Sequence, residues 1–339
     1  MARVVLVQPD PGSAISGGYL YNSEMADRGA WELCQATAER LDAVLETVEG
    51  DLVLADSLWL TESAFEPFLR RARRRRIGVL MHSFPSLIAA AEERRPVPRE
   101  PTPFEVRALE EVGLVLAPGP HYADLLRAAD VDVRIAEPGI DAEWRSPPRR
   151  RGERCSLVSV GAVTARKGFL DVLSALEGRP ERDDWQWTVV GSLIADAAYA
   201  GEVAERAARL GGVSLVGQLA PDEVRAIVTK ADVLVMPSYD ENQPLVLLEA
   251  MAASVPAVAY DVGAVARMVT HDREALLSPI GDTRGLAEHL ARLIGDEGER
   301  YRMASACFER QKELPSWETA AARARTELEH ALAHPKRRH

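Results

Sequence analysis

Two glutamates, Glu241 and Glu249, stand eight positions apart in the segment M-P-S-Y-D-E-N-Q-P-L-V-L-L-E-A-M-A. An apolar strand pattern, A-D-V-L-V-M, precedes this polar loop, and Pro244 suits the first position of the helix that follows. The predicted helix is apolar on every side except at Glu249, which indicates that it is buried. A charge at Glu249 would cost roughly several kcal/mol unless a partner or ligand compensates it.

Helical side chains lean toward the helix N-terminus, so Glu249 is expected to point toward the loop that carries Glu241. The free amides and the positive dipole end of the helix lie between the two acids and can bind an anion. A sugar nucleotide fits such a site, because its diphosphate can bind the amides and its hydroxyl groups can donate hydrogen bonds to the two acids. The competing interpretation makes Glu249 a core acid paired with an arginine and Glu241 a solvated loop residue. The spacing of the two glutamates in this strand–loop–helix segment favours the ligand-binding interpretation over the structural one.

The stretch P-S-Y-D-E-N-Q-P-L-V-L-L-E-A-M-A, followed by V-P-A-V-A, resembles the E-x7-E signature of the retaining family-4 glycosyltransferases. The resemblance implies an α/β GT-B fold, in which two Rossmann-like domains face each other across a cleft and a C-terminal helix returns to the first domain. It also implies transfer of a sugar from a nucleotide-diphosphate sugar, of UDP or GDP type, with retained configuration.

The chain length of 339 residues suits two α/β domains. E-P-G-I-D, Glu137–Asp141, resembles the segment with which the family leaves its first domain, and S-P-P-R-R-R-G-E-R is typical of a linker. We therefore predict an acceptor-binding domain over 1–145, a linker over 146–154 and a nucleotide-sugar domain over 155–313. The final segment, 314–333, is predicted to contain a long helix over Ser316–Leu332, with Ser316 as its N-cap.

A second candidate anion site follows the strand pattern Ser156–Val160. G-A-V-T-A-R-K-G, Gly161–Gly168, joins this strand to a predicted helix, an arrangement that faces phosphates in other proteins. In the resembled family the lysine contacts the donor diphosphate, which implies this role for Lys167. Many members carry an arginine after the first glycine, where this chain has Ala162, and Arg166 is the candidate substitute.

Strand ends supply the remaining candidates, because open α/β sheets bind ligands at the carboxyl ends of their strands. The resemblance implies a donor-facing glycine loop at Gly17 and Gly18, a histidine near the donor sugar at His82, and neighbours of the base at Gly217 and Gln218. The catalytic candidates are His82, Lys167 and Glu241. The donor-binding candidates are Gly17, Gly18, Arg166, Lys167, Gly217, Gln218, Glu241, Asn242, Gln243, Pro244, Leu245 and Glu249.

The expected chemistry places negative charge on the leaving diphosphate, to be stabilised by Lys167 and by amides near Gln243–Leu245. No acid pair is placed for a double displacement, so the resemblance implies front-face transfer in which the leaving phosphate helps to deprotonate the acceptor. Neither a metal nor a cofactor is expected. The D-x-D at Asp130–Asp132 falls in a helix-to-strand turn and is interpreted as solvated.

Composition narrows the functional classes. The net charge of −11 argues against nucleic-acid binding, and 47% hydrophobic with 27% charged residues is typical of a soluble globular protein. Without a long apolar run or signal-peptide pattern, a cytoplasmic location is expected, with at most peripheral contact at the inner face of the membrane. The arginine run Arg70–Arg76 favours a solvated helix end over a membrane contact.

Two further hypotheses compete with the transferase. A non-catalytic GT-B accessory or sugar-nucleotide-binding protein is favoured by Ala162, Arg267 and the modest chain length. It is opposed by the presence of Glu241, Glu249, Lys167 and His82. A GT-B epimerase or phosphorylase is disfavoured because no cofactor lysine or paired epimerase acids can be recognised in the sequence. A dehydrogenase is disfavoured because no G-x-G-x-x-G motif follows any predicted strand. The acceptor stays open among lipid, glycan, protein and small metabolite.

Overall fold

The protein is described here by a computed structural model that covers residues 2–12, 15–93, 100–149, 154–178 and 184–334. It divides into two compact units. Unit 1 comprises Met1–Ala90, Val97–Gly139 and Pro315–His339, and unit 2 comprises Ala91–Pro96 and Ile140–Leu314. Residues 150–153 of the predicted linker lie outside the described residues.

In its described part, unit 1 contains a sheet of six parallel strands. The strands are β1 (Val4–Pro9), β2 (Glu32–Ala36), β3 (Leu52–Asp56), β4 (Ile77–Leu80), β5 (Leu114–Ala117) and β6 (Asp132–Ile135). Their order in the sheet is β2-β1-β3-β4-β5-β6. The first helices of the chain are α1 (Gly17–Asp27), α2 (Leu41–Thr47), α3 (Glu66–Ala72), α4 (Pro85–Glu92), α5 (Pro103–Val112) and α6 (Pro120–Leu125).

Unit 2 has a sheet of the same size and kind in its described part. The strands are β7 (Cys155–Val160), β8 (Trp185–Val190), β9 (Val213–Gly217), β10 (Val233–Met236), β11 (Ala257–Tyr260) and β12 (Ala275–Ser278), in the order β12-β11-β10-β7-β8-β9. The helices are α7 (Phe169–Glu177), α8 (Ala197–Leu210), α9 (Pro221–Val228), α10 (Leu245–Ala252), α11 (Val265–Met268), α12 (Thr283–Gly295) and α13 (Glu297–Arg310).

Each sheet has one point where the chain reverses its direction of travel across the strands. In unit 1 this point lies between β1 and β3, and in unit 2 it lies between β7 and β10. Loops that leave these strands at their carboxyl ends diverge to opposite faces of the sheet and leave a crevice in which ligands bind. The strand order therefore marks one candidate site in each unit.

Apolar residues on both faces of the strands build the cores that hold these loops. In unit 2, Trp185 and Trp187 of β8 are fully buried, and Trp187 packs near Phe169 of α7 with ring centroids 6.2 Å apart. In unit 1, Phe65 and Phe68 are fully buried and stack at 5.3 Å. Parallel strands covered on both faces are uniformly apolar, which explains the continuous hydrophobic runs in the sequence.

The last helix, α14 (Trp317–Ala333), packs within unit 1, as the predicted fold class requires. The Ser316 hydroxyl accepts a hydrogen bond from the Thr319 amide at 3.3 Å, which confirms Ser316 as the N-cap. Gly139 lies against the start of the helix, where an added Cβ would be 2.3 Å from the Trp317 nitrogen. A glycine is therefore needed at this contact.

Several elements differ from those predicted. The segment after Gly17 and Gly18 predicts a helix near Asn22–Leu33. The helix α1 begins earlier because the Ser16 side chain caps it, and Gly29, with φ of +74°, turns the chain into β2. The helices α4, α8, α11 and α13 and the strands β2 and β12 were not predicted. The β12 segment, A-L-L-S, is too short for a period to show and becomes a strand by pairing with β11.

The division between the units falls after Gly139, whereas the sequence placed it after residue 145. Ile140 and Trp144 are buried in the core of unit 2, and the Ser146 amide donates to the Ala252 carbonyl at 3.1 Å. Packing that joins residues so distant in sequence leaves no local pattern, which is why the linker composition alone misplaced the boundary.

The arginine run at the end of α3 is engaged within unit 1. Arg71 Nη1 lies 2.6 Å from Asp42 Oδ1, and Arg75 donates to the carbonyls of Leu45 and Val48 at 3.2 and 2.5 Å. These contacts favour the structural interpretation of the run. No helix in the described part of the chain is long and apolar enough to cross a membrane.

Candidate functional site

In unit 2, the loops that follow β7 and β10 are pressed together at the switch point of the sheet. Gly168, with φ of +67°, lies so close to the second loop that an added Cβ would be 2.1 Å from the Pro237 carbonyl oxygen. The Tyr239 amide donates to the Arg166 carbonyl at 2.8 Å. Gly263, with φ of +57°, supports the loop from the other side, with a Cβ position 1.5 Å from the Glu241 carbonyl oxygen. The glycines thus permit backbone contacts that no other residue would.

Lys167 and Glu241 form an ion pair at this point, with Lys167 Nζ donating to Glu241 Oε1. The two side chains are 17% and 10% exposed. Burial lowers the pKa of Lys167 despite the opposing influence of the Glu241 charge. Burial alone would raise the pKa of Glu241, but the charges of Lys167 and Arg166 outweigh it and lower the pKa below its ordinary value. The pair is a preformed, partly desolvated charge site.

Arg166 belongs to the same cluster but points to acceptors of the protein. Its Nη1 donates to the Asp240 carbonyl at 3.1 Å, and its Nε lies 3.4 Å from Oε1 of Glu92, a residue of the same unit. Burial raises the pKa of the Asp240 carboxyl to about 6, although the Arg166 charge opposes the shift. Arg166 therefore contributes positive potential beside Lys167 while its guanidinium is held in place.

A buried acid anchors the loop that carries Asp240 and Glu241. The hydroxyls of Tyr239 and Tyr260 donate to Asp171 Oδ2 at 2.7 and 2.9 Å. Tyr239 lies in the loop itself, and Asp171 lies in the first turn of α7, directly after the Lys167 loop. The sequence analysis did not predict this network. Its signal is an acid in the first turn of a helix whose other residues are mostly apolar.

Glu249 lies in α10, which starts at Leu245 with Pro244 as its N-cap instead of its first helical residue. The Glu249 side chain is half-buried, while Leu247 and Leu248 beside it are buried. Among the described residues, no ion pair or hydrogen bond engages its carboxylate, so the interpretation as an arginine-paired core acid is wrong. Burial, followed by the charge of Asp141, raises the pKa of Glu249 to about 8.

Replacement of Glu249 by glutamine is expected to stabilise the protein increasingly as the pH rises. Folding favours the protonated acid, since its pKa is about 8 in the folded chain against 4.5 ordinarily. The wild type therefore loses stability between pH 4.5 and about 8, whereas the neutral glutamine variant does not. For a half-buried side chain we expect a gain on the order of 2 kcal/mol at high pH. Urea unfolding of both proteins at pH 5, 7 and 9 measures it.

Glu62→Gln, at an exposed acid, is the control and should show no growing difference. A stability difference between wild type and Glu249→Gln that is equal at all three pH values would contradict the shift.

In unit 1, a second polar cluster lies at the switch point between β1 and β3. His82, two residues after β4, has its Nε2 2.7 Å from Asn22 Oδ1. Asn22 Nδ2 donates to Gln8 Oε1 and to Asp56 Oδ2, both at 2.8 Å. Asn22, Gln8 and Asp56 are at most 1% exposed, and the His82 side chain is 15% exposed. Burial lowers the pKa of His82, and the Asp56 charge opposes this. Of these four residues, the sequence analysis singled out His82 alone.

The predicted glycine pair opens α1, with Gly17 as the first helical residue and Gly18 against the histidine ring. A Cβ added at Gly18 would lie 3.4 Å from His82 Cγ and Cδ2. Gly17 and Gly18 therefore belong with His82 at the switch point of unit 1.

The remaining candidates are distributed differently. Gly217 ends the edge strand β9, and Gln218 follows it. The Gly217 carbonyl accepts from the Gly191 amide at 2.9 Å, and β8 separates β9 from β7, the strand that leads into the Lys167 loop. Asn242 is buried, and the half-buried Gln243 has an Oε1 atom without a hydrogen-bond partner within the described structure. In the D-x-D segment, Asp132 accepts from Arg134 Nε and Nη2 at 2.8 and 3.0 Å.

Comparison with known proteins shows a family to which part of the chain is similar. Residues 154–296, which include Lys167, Glu241 and Glu249, match the model of the glycosyl transferases group 1 family. A D-inositol 3-phosphate glycosyltransferase of Paenarthrobacter aurescens is 30% identical over 210 residues, covering 54% of this chain and 49% of the relative. The chain spans about half the length, or less, of the curated relatives it matches.

Solved structures match almost the whole chain. The sucrose-phosphate synthase of Thermosynechococcus elongatus superimposes with a TM-score of 0.78 at 18% identity and covers 98% of this chain and 100% of that one. The Anabaena protein HepE in complex with UDP-glucose also reaches a TM-score of 0.78, at 17% identity, covering 97% of this chain and 100% of that one. The chain therefore has the two-domain GT-B fold, and its residues 154–296 match the model of the glycosyl transferases group 1 family.

Proposed function

We propose that this protein is a retaining glycosyltransferase that moves a sugar from a nucleotide-diphosphate sugar to a hydroxyl acceptor without a metal. The observation that carries the proposal is the partly desolvated Lys167–Glu241 pair at the switch point of a parallel sheet. An ion pair of this kind is costly to bury, and a ligand with both negative charge and hydroxyl groups gives each member a better partner.

Lys167 is proposed to bind the donor diphosphate. Cleavage of the anomeric C–O bond places charge on the leaving phosphate, and a fixed ammonium stabilises that charge. The Arg166 guanidinium, held on the Asp240 carbonyl, adds positive potential at the same place. Glu241, released from Lys167 when the phosphate binds, accepts hydrogen bonds from sugar hydroxyls.

The transfer step is proposed to take place on one face of the sugar. The acceptor oxygen forms its bond to the anomeric carbon as the bond to the phosphate oxygen breaks. The acceptor proton moves to the leaving phosphate oxygen, and a nucleoside diphosphate departs. Neither Glu241 nor Glu249 acts as a nucleophile. In unit 1, His82 is the candidate to form a hydrogen bond with a hydroxyl of the donor sugar.

Glu249 is proposed to hold the ribose hydroxyls. With a pKa of about 8 in the free protein it is mainly protonated at neutral pH, so the ionised form that accepts from two hydroxyls is in the minority. Nucleotide binding should therefore release a proton from Glu249 and tighten as the pH approaches 8.

A uridine donor has support from the structural neighbours, since the Anabaena protein HepE was solved with UDP and with UDP-glucose. A guanosine donor is the alternative. The acceptor class is left to experiment. A location in the cytoplasm, with peripheral contact at most to the membrane, is part of the proposal.

The test is turnover of donor sugars in the absence of acceptor, where water replaces the acceptor slowly. Purified protein is incubated with UDP- and GDP-sugars with and without EDTA, and the released nucleotide and the anomeric proton signals are followed by NMR. We expect release of UDP or GDP that EDTA does not abolish, with the first-formed sugar in the configuration of the donor.

Two results would overturn the proposal. Inverted sugar as the first product would exclude the retaining mechanism. Nucleotide binding without any turnover, also in the presence of a panel of hydroxyl acceptors, would favour the non-catalytic sugar-nucleotide-binding protein.

A further inference from the structure

The amide of Asn22 has only one orientation that satisfies its surroundings. Asp56 Oδ2 lies 2.8 Å from Asn22 Nδ2, and a carboxylate only accepts hydrogen bonds. An amide turned by 180° would set its oxygen against the Asp56 carboxylate in a buried site. The Leu58 amide already donates to Asp56 Oδ1 at 2.8 Å, which fixes the carboxylate itself. The Asn22 nitrogen therefore faces Asp56, and its oxygen faces His82.

This orientation determines the proton on the histidine ring. Asn22 Oδ1 is an acceptor and lies 2.7 Å from His82 Nε2, so Nε2 carries the hydrogen. The neutral ring then has an unprotonated Nδ1 with a free lone pair. Within the described residues, no hydrogen bond reaches Nδ1. The ring itself is held edge-on by Tyr21, with centroids 5.3 Å apart.

We propose that Asn22 is a positioning residue that holds His82 in the Nε2–H tautomer, so that Nδ1 accepts a hydrogen bond from a substrate hydroxyl. The role toward the hydroxyl rests on the proposed glycosyltransferase function, whereas the tautomer does not. Gly18 and Asn22 lie one turn apart on α1, so a single helical turn both contacts the ring and orients it.

The His82 ring is neutral because burial outweighs the effect of the nearby Asp56 charge. Asp56 Oδ2 lies 3.8 Å from His82 Nε2 and favours a charged ring, but it also receives the Asn22 amide hydrogen. Tyr21, the other titratable neighbour, has its hydroxyl on the Ala136 carbonyl at 2.6 Å and its pKa raised by burial, so it stays neutral. Burial lowers the pKa of His82 and leaves an uncharged acceptor at neutral pH.

The experiment is nitrogen-15 NMR of histidine side chains in the ligand-free full chain, with His82 assigned by comparison with His82→Gln. We expect the wild-type spectrum at neutral pH to show a protonated Nε2 and an unprotonated Nδ1 for His82. His271 is an internal reference, because its Nδ1 accepts from the Leu277 amide at 3.0 Å and must be unprotonated too. A protonated Nδ1, or a charged ring, in the wild type would overturn the proposal without any variant.

Two variants test the part played by Asn22. Asn22→Leu removes the acceptor and should give a mixture of tautomers. Asn22→Asp combined with Asp56→Asn exchanges the amide and the carboxylate, so that a carboxylate lies against Nε2; this double variant should raise the His82 pKa and leave the ring charged at neutral pH. An unchanged ring spectrum in both variants, each checked by circular dichroism for folding, would show that Asn22 does not set the tautomer.

Turnover measurements test whether His82 Nδ1 accepts a hydrogen bond from a substrate hydroxyl. The double variant Asn22→Asp, Asp56→Asn should lower kcat/KM for the nucleotide sugar by about tenfold or more while leaving UDP affinity unchanged. If wild-type protein turns over no nucleotide sugar, the proposed function fails while the tautomer can still be established. If turnover occurs and the variant retains full kcat/KM, His82 Nδ1 has no role toward a hydroxyl.

Discussion

Replacement of Lys167 by alanine is expected to lower kcat/KM for the nucleotide sugar by about 10²–10⁴-fold. The ammonium is the fixed cation of the cluster, and its partner Glu241 would remain partly buried without it. Removal of the cation also raises the pKa of Glu241, since the charge of Lys167 contributes to lowering it. Steady-state release of UDP or GDP measures the effect.

A matched control exists on the surface of the same unit. Lys312 pairs with Glu309 at 2.6 Å, but these side chains are 58% and 60% exposed. Lys312→Ala removes the same type of pair where water replaces the partner, so activity and stability should stay nearly unchanged. Equal losses of activity in Lys167→Ala and Lys312→Ala would contradict a specific role for Lys167.

A double variant separates catalysis from folding. Lys167→Met keeps the apolar stem but leaves Glu241 unpaired, and adding Glu241→Gln removes the remaining charge. The double variant should regain the stability that Lys167→Met loses, because neither group is then charged. It should not regain activity, since the diphosphate would have no cation. Recovery of activity together with stability would mean that the pair is purely structural.

Gly263→Ala is expected to destabilise the protein by about 2–4 kcal/mol and to lower the activity of the folded fraction strongly. The residue has φ of +57°, and a Cβ would lie 1.5 Å from the Glu241 carbonyl oxygen. The backbone of the loop must therefore move, and the Glu241 carboxylate moves with it, away from Lys167. Urea unfolding and donor turnover measure the two effects.

Gly211→Ala is the control for backbone strain alone. Gly211 has φ of +76°, and no atom lies within 4 Å of its Cβ position. With ψ of 168° its backbone lies in a region nearly confined to glycine, so its substitution should cost about 1–3 kcal/mol and leave turnover unchanged. The difference between the two variants measures the close approach to Glu241. A Gly263→Ala protein as stable and active as Gly211→Ala would show that this loop position is adjustable.

Much of unit 2 could be predicted from short stretches of sequence. The segments that carry Lys167 and Glu241 are each a buried strand, a polar loop and an apolar helix, and these patterns lie within about twenty consecutive residues. Hydrophobic period and a proline at the helix start are local signals, so the order strand–loop–helix followed from them. The family resemblance was carried by the residues of the E-x7-E motif. The lone acid at Glu249 was also visible, because nothing around it in sequence is polar.

The partners of these residues were not predictable. Lys167 and Glu241 are 74 positions apart, and their direct ion pair depends on how the two loops meet at the β7/β10 switch point. In unit 1, Asn22 was expected to start a helix, yet it lies inside α1 and joins His82 across 60 positions. Such contacts leave no periodic trace in the chain.

The sequence by itself determined the alternation of strands and helices, the loops that carry charge and the resemblance of residues 154–296 to a known family. The tertiary structure decided the protonation of the site. Burial raises the pKa of Glu249 to about 8, while the charge of Lys167 favours the ionised form of Glu241. A pKa depends on the desolvation and charge that surround a group in three dimensions, and these arise only when distant segments pack together.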